Sequence, residues 1–521
     1  MSKTDEFRQH LEQGYTFKGD SVLLGAAMLD GKVLTGATVT APLRTFNRHG
    51  LIAGATGTGK TKTLQNIAER LSEKGVPSLL MDIKGDLSGL AAASEGHPKI
   101  DERHEQIGVP WKAMAYPVEL LTLSDQPGAR LRATVSEFGP VLFSKILTLN
   151  ETQSGVVSLV FKYCDDQQLP LLDLKDFRKA LQYLTYEGKE EIRDDYGRIS
   201  TASTGAILRK IVEIEEQDAD RFFGERSFDV MDLLRTDDRG MGVIHALRLT
   251  DIQDRPKLFS TFMLSMLAEV YSSFPEVGDK ADPKLVIFID EAHLVFREAS
   301  PALLNQIESI VKLIRSKGVG IFFITQLPTD VPDTVLSQLG MKVQHALRAF
   351  TAKDRKAIKL TAQNYPLTPY YDTADTLTRL GIGEALVTVL NEKGIPTPLA
   401  HAMLTAPSSR MDILTPEEIS ALVRKSRLAD RYNEAVDRES AYEMLSAKLA
   451  DAEKLAVETK EREEREAAKS KAASSRSSSR TKSTRSRRSR KSPIEEFANS
   501  RTGQTLVREI TRGLLGLLKK R

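Results

Sequence analysis

Apolar positions along this chain follow two rhythms. Between Leu51 and Ala406, short continuous apolar runs alternate with stretches where apolar residues recur every three or four positions. The runs Gly50–Ala53, Ser78–Asp82, Lys284–Asp290, Val319–Thr325 and Lys342–Phe350 have the length and composition of strands buried on both faces. Leu64, Ile67, Ala68 and Leu71 keep helical spacing between Thr61 and Gly75. Strands alternating with helices predict an α/β core with a mainly parallel sheet over residues 49–406. Ahead of it, Val22–Met28, Lys32–Leu34 and Ala37–Thr40 alternate around Asp30-Gly31, a hairpin signal. Residues 1–48 therefore read as a short β-rich lead-in. Residues 100–240 or so read as a large helical insertion, with Phe177, Ala180, Leu181 and Leu184 on one face and Ile207, Ile211 and Ile214 on another. Met241–Leu247 reads as a strand returning to the sheet. Ala385–Leu390 and Pro398–Leu404, around Asn391–Gly394, close the core as a hairpin.

Beyond the core the pattern turns polar. Thr415-Pro416-Glu417-Glu418 combines an N-cap, a proline at the first helical position and a capping-box glutamate. A long charged helix is expected over 414–469, where Tyr442, Leu445, Leu449, Ala452 and Ala456 allow a short coiled coil. Residues 470–492 read as a disordered Ser/Arg linker. Residues 493–521 read as an amphipathic terminal helix, with Leu506, Ile510, Leu514 and Leu517 on one face and the capacity to dock on a protein partner.

Charge sharpens this picture. Residues 471–492 hold nine Lys/Arg, nine Ser and no acid; without those nine, 65 basic residues face 71 acidic ones, so the +3 of the whole chain becomes −6. Any nucleic-acid affinity must then come from a patch, a pore or the tail. The single cysteine, Cys164, excludes a disulfide framework and suits a reducing compartment. No apolar leader and no run long enough to span a bilayer are visible, so a cytoplasmic protein is expected.

The chemistry begins at Gly54-Ala55-Thr56-Gly57-Thr58-Gly59-Lys60-Thr61, which fits G-x-x-x-x-G-K-[ST] between a strand and a helix. Backbone N–H groups there cradle phosphates at a helix N-terminus. Lys60 is placed to reach the β/γ-phosphates, Thr61 to ligate Mg²⁺, and Lys62 follows in the first turn. Asp290 and Glu291 end the strand LVIFID. Asp290 is placed to hold Mg²⁺, and Glu291 to take the proton of an attacking water. Gln326, at the end of the next run, is placed to touch the γ-phosphate or the water. Arg315, Arg348 and Arg355 are candidates to act in trans on a neighbour's nucleotide. Asp82 and Lys84 fall at the carboxyl end of the second strand, where a contact with the site and a solvated loop both remain open.

Taken together, GATGTGKT, LVIFIDEAH, GVGIFFITQLP and VQHALRAFTAKDRKA, in that order, resemble the HerA/FtsK class of ring ATPases. MDIKGDLSGLA, RATVSEFGP and LNETQSGVVSLVFKYCDD resemble its bacterial HerA-like branch. The resemblance covers roughly residues 15–410. It implies a RecA-like P-loop core, ATP and Mg²⁺ as cofactors, hexameric assembly, and translocation on double-stranded DNA. It also implies the roles given above to Lys60, Thr61, Asp290, Glu291 and Gln326. In these relatives a β-barrel precedes the core and helps recruit a nuclease; residues 1–48 are too few for a full one, which leaves nuclease coupling open. Two other readings stay open on the sequence, a ring ATPase acting on a protein partner and a slow nucleotide-dependent switch.

Overall fold

The computed structural model describes residues 2–477 apart from 253–254, 279–281, 298–300, 435 and 437. Twelve strands of the described residues join one sheet: β1 (Ser21–Leu29), β2 (Lys32–Pro42), β3 (Gly50–Ala53), β4 (Ser78–Asp82), β5 (Val118–Thr122), β6 (Ala129–Arg130), β7 (Ile244–Arg248), β8 (Leu285–Ile289), β9 (Val319–Thr325), β10 (Met341–Gln344), β11 (Glu384–Thr388) and β12 (Ala400–Leu404). Their order is β2-β1-β12-β11-β10-β3-β9-β8-β4-β7-β5-β6. Every pairing from β10 across to β6 is parallel. Every pairing from β10 back to β2 is antiparallel.

The central strands β3, β9, β8 and β4 are buried at every residue. Helices cover both faces of a parallel sheet, which is why these strands read as unbroken apolar runs. Phe288 and Phe322 meet across adjacent strands, with Phe46 stacked beyond Phe322. Such strands leave only their carboxyl ends free for a ligand.

Four expectations need correction. The hairpin of residues 1–48 is not a separate lead-in: β1 pairs with β12 at Gly25↔Leu404 and extends the main sheet. It is preceded by a helix, Lys3–Gly14, that turns Phe7 and Leu11 into the core. The insertion expected at about 100–240 is not all helical, because β5 and β6 lie within it and continue the parallel sheet beside β7. Its helices are Pro98–Ile107, Val135–Ile146, Glu151–Asp166, Leu174–Thr185 and Thr201–Glu215. The strand expected at Lys342–Phe350 stops at Gln344, where the chain leaves the ladder to bond the phosphate loop through Ala346.

The single helix expected at 414–469 is three: Pro416–Val423, Arg427–Tyr432 and Ala441–Ser477. The first has the anticipated cap, with Thr415 and Glu418 exchanging hydrogen bonds. The last runs past 469 into the stretch expected to be linker. The remainder of that linker and the terminal helix at 493–521 lie outside the described residues. The chain divides into two units, Met1–Ala447 and Lys448–Arg521. In the second, residues 451–470 are exposed almost throughout. No helix of the described residues is long and apolar enough to cross a membrane.

Candidate active site

The loop from Gly54 to Gly59 joins β3 to the helix Lys60–Glu73 at the carboxyl edge of the sheet. Three of its residues have positive φ: Gly54 at 155°, Gly57 at 76° and Gly59 at 115°. Gly54 is glycine for a second reason, since a Cβ there would lie 2.5 Å from the Cβ of His345. The loop is held from outside by its neighbours. Gly54 N donates to Thr325 O at 3.2 Å, Ala55 N to Ala346 O at 2.8 Å, and Gly383 N to Thr58 O at 3.1 Å. Within it, Thr58 Oγ1 donates to Ala55 O at 2.7 Å. The remaining N–H groups of the loop lie at the N-terminus of the helix, a place that favours anions.

Lys60 is 6% exposed, and among the described residues its Nζ donates only to Ala55 O, at 3.2 Å. Burial pulls its pKa below the usual lysine range, with Lys84 adding to the effect and Glu291 and Asp290 opposing it. A buried ammonium bonded to one carbonyl has donors to spare for phosphate. Thr61 is half-buried in the first turn of the helix. Lys62 departs from expectation: its side chain turns to Met411 O at 2.5 Å and Gln65 Oε1 at 3.1 Å. It fastens the helix to the segment after β12 and does not face the phosphate loop.

Asp290 and Glu291 follow β8, two strands from the loop, and are 2% and 7% exposed. Asp290 Oδ1 accepts from Glu291 N at 2.9 Å. Its Oδ2 is buried with no hydrogen-bond partner among the described residues. Burial raises the Asp290 pKa to about 6, against the pull of Lys84 and with help from Glu291. Glu291 has φ +45°, a left-handed conformation uncommon for a non-glycine residue. Its Oε1 lies 2.5 Å from Lys84 Nζ. Its Oε2 lies 3.2 Å from His293 Nδ1, without the direction of a proper hydrogen bond. Gln326 is exposed immediately after β9, the strand between the loop and Asp290. Lys60, Asp290, Glu291 and Gln326 thus gather at the ends of β3, β9 and β8.

The arginines do not gather there. Arg348 is exposed beyond β10 and donates to Thr378 O at 3.1 Å. Arg355 is exposed in the first turn of the helix Ala352–Gln363. Both lie on the carboxyl side of the sheet. Arg315 sits in the turn Ile314–Lys317 before β9, at the opposite edge from its own phosphate loop. Its charge is felt by His49, which precedes β3.

Of two further neighbours, one was left open on the sequence and the other, His345, was not expected there. Lys84 resolves an open alternative, since it meets Glu291 and is no free loop residue. His345 is fully buried behind the loop, with Nε2 2.8 Å from Thr63 Oγ1. A polar residue directly after a buried strand, in VQHALRAF, was the available signal.

A family model described as helicase HerA-like, C-terminal, matches residues 29–521. Among curated relatives, the DNA double-strand break repair helicase HerA of Sulfolobus acidocaldarius is 24% identical over 376 residues, covering 70% of this chain and 67% of that protein. Its namesake from Saccharolobus solfataricus is 23% identical over 369 residues, covering 69% and 66%. The chain thus spans about two thirds of the length of these relatives. Among solved structures, the bacterial conjugative coupling protein TrwB superposes with a TM-score of 0.50 at 14% identity, covering 78% of this chain and 95% of that one. The sheet, the phosphate loop and this likeness define a RecA-like P-loop fold.

Proposed function

The chain belongs to the helicase HerA-like C-terminal family, and from that premise we propose that it is an ATP hydrolase whose turnover drives movement on, or remodelling of, double-stranded DNA by a ring of copies of itself, six in number. The observation that carries the hydrolytic part is the buried Asp290 Oδ2 without a partner, two strands from a phosphate loop and next to Glu291. A buried carboxylate oxygen left unpaired is costly unless something else fills the place. Asp290, with the Thr61 hydroxyl, fits Mg²⁺, and the donors of Lys60 and the loop N–H groups fit the phosphates. The metal, when bound, neutralises charge on the phosphate oxygens.

The residues then divide the work. Lys60 and the loop amides bind and orient the triphosphate. Glu291 accepts the proton as water attacks the γ-phosphorus and the bond to ADP breaks. In this reading Gln326, exposed at the end of β9, contacts the γ-phosphate or the water. An arginine from a neighbouring copy, Arg348, Arg355 or Arg315, offsets charge developing on the transferred group. The double-stranded DNA substrate rests on the function printed for the archaeal relatives.

The test is steady-state ATP hydrolysis with and without double-stranded DNA, on protein whose solution mass has been measured. The expected result is DNA-stimulated turnover by a hexamer, and a Glu291→Gln variant that binds ATP and assembles but turns over at least about a hundredfold more slowly. Turnover indifferent to DNA would favour a motor acting on protein. Normal turnover by Glu291→Gln would remove the hydrolytic reading.

A further inference from the structure

Glu291 is not free to act as a base in this structure. Its Oε1 is 2.5 Å from the ammonium of Lys84, and its Oε2 faces His293. Burial works against the Lys84 charge, yet the hydrogen bond to Glu291 and the nearby Asp290 outweigh it and raise the Lys84 pKa. The contact has to open before Glu291 reaches a water.

Lys84 is not carried on a free loop. It follows β4, and the chain after it folds back on the Asp82 carboxylate. Oδ1 of Asp82 accepts from Gly85 N at 2.7 Å and Asp86 N at 3.1 Å, and Oδ2 accepts from Leu87 N at 3.2 Å. Asp82 is itself buried, so this turn is fixed at its base. At Gly85, φ is +78° and a Cβ would lie 2.7 Å from Thr250 Cγ2, so the turn abuts the residues after β7. Thr250 Oγ1 in turn accepts from Gln126 Nε2, beyond β5, at 2.8 Å. The ends of β4, β7 and β5 are linked in a row along the carboxyl edge, and Lys84 is the one that meets the base.

We propose that Lys84 is a positioning residue that restrains Glu291 in the resting protein, and that displacement of the turn 82–87 by a load at the ends of β7 and β5 releases it. This rests on Glu291 being the base. The restraint makes hydrolysis slow until the load is engaged, which is what a motor needs to avoid idle turnover.

The experiment compares the full chain with Lys84→Met, Lys84→Gln and Lys84→Arg, using ATP alone and ATP with double-stranded DNA. Lys84 is partly exposed, so the substitutions are expected to leave the melting temperature unchanged. Losing the charge should raise basal kcat about three- to tenfold, as expected for one half-exposed charge-assisted hydrogen bond. KM for ATP should stay within about twofold, and stimulation by DNA should shrink by the factor that kcat gains. Lys84→Arg should keep the low basal rate. A fall in basal kcat with a rise in KM would make Lys84 a phosphate ligand and overturn the restraint; an unchanged basal kcat would overturn it too. Glu291→Gln in the same assay keeps the two readings apart. If it turns over normally, the assignment of Glu291 fails. If it is inactive and Lys84→Met is no faster than wild type, only the restraint fails.

Discussion

Two buried carboxylates flank the helix Lys60–Glu73, and their surroundings differ in kind. Glu69, on the helix itself, is fully buried. Its Oε2 accepts from Ser408 N at 2.8 Å, and its Oε1 from Ser409 N at 3.0 Å and Ser409 Oγ at 2.5 Å. Asp290, on the loop side, is buried almost as deeply, yet one oxygen has no partner. Burial raises the pKa of both. Burial and pKa direction therefore do not separate structural from chemical charge; hydrogen-bond completeness does. Behind the helix Asn66 Nδ2 donates to Thr405, and Gln65 donates to Ser409 and Arg410, although Asn66 Oδ1 is left without a partner among the described residues. The front is left open for a ligand.

Substituting each carboxylate tests the contrast, and the larger effect belongs to the front. Asp290→Asn should cut kcat for Mg-ATP about a thousandfold, the scale of losing a metal ligand and the charge it compensates. Its denaturant midpoint should hold or rise, because an uncompensated buried charge is removed. A variant that loses stability in step with activity would place Asp290 in the same class as Glu69.

Glu69→Ala reverses the pattern. It leaves two backbone N–H groups and a hydroxyl without an acceptor in the core, at a cost of about 3 kcal/mol in unfolding free energy. kcat measured well below the melting transition should change less than about threefold, since the loop keeps its contacts to Thr325, Ala346 and Gly383. Glu69→Gln, which still accepts, should lose less than Glu69→Ala. Equal losses would mean that the packed volume, and not the acceptor, holds Ser408 and Ser409 against the helix.

The sequence made the front of this site legible because its residues lie in short contiguous motifs. Gly54–Thr61 and Asp290-Glu291 each announce themselves within eight residues, and the four fully buried strands β3, β4, β8 and β9 are short, mainly apolar runs. The rear was illegible because its partners are remote. Glu69 meets Ser408, and Lys62 meets Met411, each more than 330 residues away. Adjacency to Thr61 suggested the nucleotide for Lys62, while a helix turns consecutive side chains about 100° apart, and the Lys62 ammonium meets Met411 O. Lys84 finds Glu291 only because β4 and β8 are neighbours in the sheet. β5 was hidden for another reason, since Val118–Thr122 is five residues long and no period distinguishes so short a run.

His345 sits between the two regimes and gives the smallest expected effect. It is buried like Glu69 but sits against the loop. Its N donates to Ala53 O at 2.7 Å, its Nε2 pairs with Thr63 Oγ1, and its Cβ fills the place a side chain at Gly54 would need. Burial pulls its pKa down to about 4, so the ring is neutral at physiological pH and acts by shape and one hydrogen bond. If it shapes the loop from behind, His345→Leu should raise KM for ATP about three- to tenfold with kcat nearly intact, the signature of binding lost equally in ground and transition states. Thr63→Val removes the same bond from the other side and should give a similar shift, with little added in the double variant. A collapse of kcat at unchanged KM would instead join His345 to the open front, and the line between the two faces would then run behind the loop and not through it.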